Sequence, residues 1–322
     1  LQESLDTFAK CDTLISEIRQ IRKNEKDKIR LGQLAKEVYE NAIRISLMLT
    51  DLPLGKRRYQ EKAFGYCERS KSAVLLEAIS ETNAQNFAGL PEGILATEDS
   101  LQAQINTLTQ LLAEKSGDEQ EPYLKNQLFE AQKAYRSLIG QLESEYPQYF
   151  ELKYQTQSAT SEDVSSVMDK NQALISYFEG ESRLYIFIVT SKGLEVLDKP
   201  KNEKYLQLVS GLRNAVKYRV GSVLINSAQT LYRELIPSLN NQITHLTIIP
   251  DGILGTIPFE ALISSGSTNG SYADQDFLVE DYVIGYEYSA TLFVNINSRK
   301  EQKTAKEILF MAPVDFAPET RM

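Results

Sequence analysis

The chain has no tryptophan, one histidine and two cysteines in 322 residues. Each scarcity removes a class of function. Two cysteines cannot build a disulfide framework and no CxxC pair occurs, which fits a reducing cytoplasm. His245, with Cys11 and Cys67 far from it in sequence, is too little to make a zinc site. Neither GxGxxG nor GxxxxGK[ST] follows any apolar run, so the phosphate loops of nucleotide-binding enzymes are missing. GxSxG, the hydrolase elbow, is missing too. No apolar run approaches the ~18 residues of a transmembrane helix. The opening LQESLDTFAK is not a signal peptide and lacks an initiator Met, so it reads as an excised segment. Positive charge is also short: the formal net charge is -9, which argues against a nucleic-acid or membrane-surface partner. GKRR at Gly55–Arg58 is the densest basic stretch and reads as a solvated loop.

What remains is an ordinary globular composition, 42% hydrophobic and 25% charged, long enough for about two domains at ~150 residues each. The first half keeps a helical rhythm. Leu5, Phe8, Leu14, Ile15, Ile18 and Ile21 mark one amphipathic helix. A second spans about Lys26–Thr50 and is broken by DLPLG. A third spans about Lys56–Ser80, with Ala63, Phe64, Cys67, Ala73, Leu76 and Ala78 as packing positions. Small residues at helix crossings suggest a tetratricopeptide-like (TPR-like) array, although no clean 34-residue period is visible. Phe87–Ser100 reads as a linker that ends with Thr97 as a helix N-cap. Leu101, Ile105, Leu108 and Leu112, then Leu124, Leu128, Ala131, Tyr135, Leu138 and Leu142, predict two heptad-like helices in an antiparallel hairpin.

From about Ser161 the texture changes. Ala173–Phe178 and Leu184–Thr190 flank EGES and predict a β-hairpin, with a short third strand at Leu194–Leu197. Helices follow at Lys201–Tyr218 and Val223–Leu235, then a strand at Ile243–Ile249. Tyr282–Ala290 predicts a strand passing into a helix near Ser289, and Glu307–Phe316 another buried strand. This succession is an α/β pattern: a mostly parallel sheet covered on both faces. The segment HLTIIPDGILGTIPFEALI, His245–Ile263, raises the catalytic question. A Ser or Cys nucleophile needs a base, but His245 enters its strand at the amino end, whereas chemistry in such sheets gathers at the carboxyl ends. Asp251 is better placed. Pro-Asp-Gly is also a turn sequence in which Asp bonds backbone donors two residues on, and a partner carboxylate such as Glu260 sits on another element. His245 and Asp251 therefore read as structural.

The same segment resembles the PDG-x-L-x-x-x-PF-x-AL signature of the CHAT domain, a caspase-like (clan CD) cysteine peptidase fold related to separase. ALISYFEGESRLYIFIVTSKGLEV is similar to that domain's opening hairpin, YEYSATLF to its Tyr-x-Pro-Ser region, and EILFMAPVDF to a later strand. EKAFGYCERSKSAVLLEAI is similar to the helix that closes the TPR array in bacterial CHAT proteins. The resemblance implies TPR-like repeats over 1–95, a helical hairpin over 96–158, and the N-terminal half of a three-layer caspase-like α/β domain over 159–322. It implies regulated proteolysis of a protein or peptide substrate, with a protein partner bound by the helical array and no cofactor or metal. The family's His–Cys dyad follows later strands and would lie beyond Met322. Cys11, Cys67 and His245 match none of its positions, so no catalytic residue is assigned. A half sheet ending in ILFMAPVDFAPETRM would need a further segment, another chain or an oligomer to cover it. The rival reading is a non-enzymatic pseudo-peptidase scaffold. A standalone nucleotide or phosphate binder is disfavoured by the missing loops.

Overall fold

The computed structural model describes residues 1–21, 25–53, 55–71, 92–114, 120–146, 149–150, 158–201, 204–267 and 271–298. It opens with three helices, α1 (Gln2–Ile21), α2 (Glu25–Met48) and α3 (Lys56–Arg69). DLPLG breaks the path between α2 and α3, and Leu49–Asp51 forms a 3-10 turn there. Leu5 and Ile15 of α1 are buried, but Leu14 and Ile18 of the same apolar set remain 56% and 43% exposed. The part of the third helix expected from Ser72 to Ser80 lies outside the described residues, as does the strand expected at Glu307–Phe316.

Next comes the hairpin, α4 (Glu92–Glu114) and α5 (Glu121–Glu145), with Pro122 in the first turn of α5. Ile105, Ala131, Tyr135, Leu138 and Leu142 form its buried seam. Gln102 Nε2 donates to Tyr135 Oη at 2.7 Å across the pair, and Tyr149, beyond the end of α5, donates its hydroxyl to Glu98 Oε2 of α4 at 3.1 Å. The Thr97 N-cap is a mistaken expectation. α4 starts several residues earlier, because Ile94 and Leu95 already pack against Leu138, Leu142 and Tyr149. Thr97 is inside the helix, and its hydroxyl donates to the Gly93 carbonyl at 2.7 Å, the i−4 bond open to a helical Thr.

The α/β part follows: α6 (Ser161–Val167), β1 (Gln172–Glu179), β2 (Arg183–Thr190), β3 (Gly193–Pro200), α7 (Tyr205–Tyr218), α8 (Gly221–Leu235), β4 (His245–Ile249), β5 (Ile263–Gly266), β6 (Gln275–Phe277), α9 (Leu278–Asp281), β7 (Val283–Tyr286) and α10 (Ala290–Asn297). Thr160 and Asp163 form a capping box at α6. The five-stranded sheet runs β3-β2-β1-β4-β7. β4 pairs in parallel with both β1 and β7, while β2 is antiparallel to β1 and β3. The sheet is thus mixed rather than mostly parallel, since the EGES hairpin supplies its antiparallel edge. β5 and β6 form a separate two-stranded sheet. Their Ser- and Gln-bearing sequence has no apolar alternation to announce strands.

Side chains of β1 alternate between two cores. Ala173, Ile175 and Tyr177 meet Val209, Leu212, Leu231 and Leu235 of α7 and α8. Leu174 and Phe178 meet the opposite layer, which includes Tyr39, Ile43, Phe64 and Cys67 of α2 and α3 and Phe293 of α10. The chain is an α + α/β protein in which the N-terminal helices share a hydrophobic core with the sheet.

Candidate functional site

β1 and β4 run parallel with Gln172 opposite His245 and Ser176 opposite Ile249, so their carboxyl ends open on one side of the sheet. That is where open α/β sheets place ligand chemistry. Pro250-Asp251-Gly252 leaves β4 there. Gly252 takes φ +56, and a Cβ on it would collide with Glu179 Oε2, so both backbone conformation and space require glycine.

Asp251 reaches sideways. Its Oδ2 accepts the Glu179 N–H at 2.7 Å and the Lys36 ammonium at 3.2 Å. Glu179 answers in the opposite direction: its Oε2 accepts the Ile253 N–H at 2.8 Å and its Oε1 accepts from Lys201 Nζ at 3.4 Å. The donor two residues beyond Asp251 is therefore held by Glu179, not by Asp251 itself. Two carboxylates and two ammoniums close the ends of β1 and β4 against each other. Lys36 also lies over the Phe178 ring, 5.6 Å from its centroid.

Side chains of the helical array continue the contact. Glu40 of α2 accepts the Glu181 N–H with both oxygens, at 3.0 and 2.9 Å. Phe64, Cys67 and Glu68 of α3, and Lys71 just after its end, follow one another at helical spacing. Lys71 Nζ donates to the Ile249 carbonyl at 3.3 Å, at the end of β4. Glu68 Oε2 accepts the backbone N–H of Thr291 at 3.0 Å and its hydroxyl at 3.2 Å. It thus occupies the amino end of α10 beside the Ser289 cap, whose hydroxyl accepts the Leu292 N–H at 3.1 Å, where a carboxylate suits the helix dipole. Cys67 Sγ lies 3.8 Å from Ser176 Oγ. Burial pushes the Cys67 thiol up to about 12, against a lowering by the Lys71 charge. Burial also raises the Glu68 carboxyl, again opposed by Lys71 and by the Thr291 bonds.

The PFEAL block anchors the far side. Phe259 is fully buried, with ring centroids 5.4 Å from Tyr177 and 6.2 Å from Tyr286. The Tyr286 hydroxyl accepts the Phe259 N–H at 2.8 Å and donates to Glu260 Oε2 at 2.7 Å. Burial raises the Tyr286 phenol well above its ordinary range, and the bond to Glu260 adds to that. Glu260 is engaged with Tyr286 on β7, so it does not form a carboxylate pair with Asp251.

A family model described as CHAT domain matches residues 226–321. The C-terminal third of the chain therefore carries a CHAT domain match. That family is related to caspase-like peptidases. Within the described residues the CHAT match covers most of α8, then β4, the Pro-Asp-Gly turn, the PFEAL block, β7 and α10. A search of curated proteins finds no match.

His245 Nδ1 lies 3.2 Å from Asn171 Nδ2 and 2.9 Å from Thr244 Oγ1. It faces Gln172 in the register, while Cys67 meets Ser176. At ~3.3 Å per residue, the four-residue offset is about 13 Å along the sheet. The imidazole cannot activate that thiol. Cys11 sits on α1, partly exposed. Among the described residues no group of His, Cys, Asp and Glu is assembled to hold a metal ion. No helix among them is long and apolar enough to cross a membrane.

Sequence reasoning missed Lys36, Glu179, Lys201, Glu68 and Lys71. Glu68 and Lys71 had a signal: they continue the Phe64–Cys67 stripe, so a helix buried on that face must bury them too. Glu179 ended a strand with no polar residue but Ser176 after Gln172. Nothing local marks Lys36 or Lys201.

Proposed function

We propose that this chain is the regulatory and N-terminal half of a TPR-CHAT caspase-like cysteine peptidase, in which a protein bound by the helical array controls proteolysis. The observation that carries the reading is the set of bonds from α2, α3 and the turn after α3 to the carboxyl end of the sheet. Lys36, Glu40, Glu68 and Lys71 bind Asp251, the Glu181 amide, the amino end of α10 and the end of β4. A partner that tilts these helices must break or move polar contacts at the end of the sheet where such folds do their chemistry. Asp251 and Glu179 act in this reading as positioning groups, because both are engaged by amides and ammoniums of the fold.

The test is cleavage of a peptide library, and labelling by a peptidyl acyloxymethyl ketone, using the longest form of the protein that the cell makes. The reading expects thiol-dependent cleavage that changes when a helical-array partner is added and persists in Cys11→Ala and Cys67→Ala variants. The rival reading is a non-enzymatic pseudo-peptidase scaffold. That reading expects partner binding with no labelling and no cleavage.

A further inference from the structure

At the amino ends of β1 and β4, opposite Asp251, a cavity of about 530 Å³ opens between α3 and the sheet. Its size falls in the range of small-molecule sites, ~300–1,000 Å³. Three ammoniums stand around it: Lys56 from the first turn of α3, Lys170 from the turn into β1, and Lys192 from the turn between β2 and β3. None of the three pairs with a carboxylate among the described residues. Glu195 is the acidic group in the lining. In a protein of net charge -9, a concave site with this excess of positive charge is a local reversal of the field.

The remaining wall is of two kinds. Ile188 and Ile243, 3% and 7% exposed, form an apolar part. Asn240 uses its side-chain oxygen to accept the Gln242 N–H at 3.1 Å, which leaves its NH2 to donate.

The geometry points to a binding site for a phosphomonoester with an apolar body, held by Lys56, Lys170 and Lys192 with the ester group against Ile188 and Ile243. Three cations against one carboxylate match the charge of a phosphomonoester, about -1.5 to -2 at neutral pH. Lysine meets phosphate as a point charge and needs no glycine loop. The site takes Lys56 from the helical array and the other two cations from the α/β part, so an occupant would bridge the two.

Calorimetric titration with phenyl phosphate at low salt tests this, beside inorganic phosphate, phenol and a short phosphotyrosine peptide. Saturable phenyl phosphate binding is expected, tighter than that of inorganic phosphate and weakened by salt. It should weaken by about tenfold or more in the Lys56→Gln/Lys170→Gln/Lys192→Gln variant. These lysines are exposed, and unchanged circular dichroism would confirm that the variant folds. A peptide that binds at least as tightly as phenyl phosphate identifies a phosphorylated side chain as the source, and a weaker one identifies a free small molecule. The proposal is overturned by no saturable phenyl phosphate binding, by equal affinity in the triple variant, or by phenol binding as tightly as phenyl phosphate.

Discussion

Replacing Asp251 separates two interactions that meet on one oxygen. Oδ2 accepts the Glu179 N–H at 2.7 Å and the Lys36 ammonium at 3.2 Å. The amide belongs to the end of a buried strand, and leaving it without an acceptor costs ~1–3 kcal/mol. The ion pair joins side chains that are 39% and 23% exposed, so solvent screens it and it contributes ~0–1 kcal/mol. Asp251→Ala loses both and should destabilise by about 2 kcal/mol. Asp251→Asn keeps an oxygen for the amide and should cost under ~1 kcal/mol. Lys36→Met keeps the stem packed and should also cost under ~1 kcal/mol. Urea unfolding followed by circular dichroism ranks the three. If Asn is as harmful as Ala, or Lys36→Met matches Asp251→Ala, then charge and not the strand-to-strand amide bond holds the turn, and the argument is wrong.

Three further outcomes follow from the same site. Gly252→Ala must adopt a left-handed φ and displace Glu179, so it should lower stability by ~1–3 kcal/mol and expose the Ile253 amide to exchange. Burial holds the Glu68 carboxyl above its ordinary 4.5 in the folded state, so the folded chain binds that proton more tightly than the unfolded one. Its contribution is full below pH ~4.5 and is lost as pH rises through the folded value; Glu68→Gln should flatten that slope in unfolding measured from pH 4.5 upward, and an unchanged slope would reject the assignment. Cys67, buried with its thiol pushed up to about 12, should resist thiol-disulfide reagents at pH 8 until the protein is denatured; rapid labelling in the native state would contradict its placement.

The elements were legible where apolar periodicity is strong. β1 and β2 around EGES, α7, α8 and β4 fall near the spans their sequences predict. Pro-Asp-Gly announced a turn, and Gly252 fits it. The charge set at the end of the sheet was not legible, because its partners are remote: Asp251 meets Lys36 across 215 positions, and Glu68 meets Thr291 across 223. Local propensity carries no information about such pairs. Thr97 failed for a related reason. A cap residue is favoured before a helix, but packing of Ile94 and Leu95 on α5 extended the helix past it. The CHAT signature was readable as a pattern, and the structure supplies its physics. Phe259 fills the core between β1 and β7, and its amide and Glu260 capture the Tyr286 hydroxyl.

The central claim is that the helical array is mechanically joined to the carboxyl end of the sheet. Hydrogen exchange by mass spectrometry on wild type and on a Glu40→Ala/Glu68→Ala variant tests it most directly, since these side chains accept the Glu181 and Thr291 amides. The account predicts faster exchange in peptides spanning Glu179–Glu181 and Ala290–Phe293, with the amino end of β4 around Leu246 unchanged. Unchanged exchange at both carboxyl-end segments, or a uniform increase throughout the sheet, would contradict it.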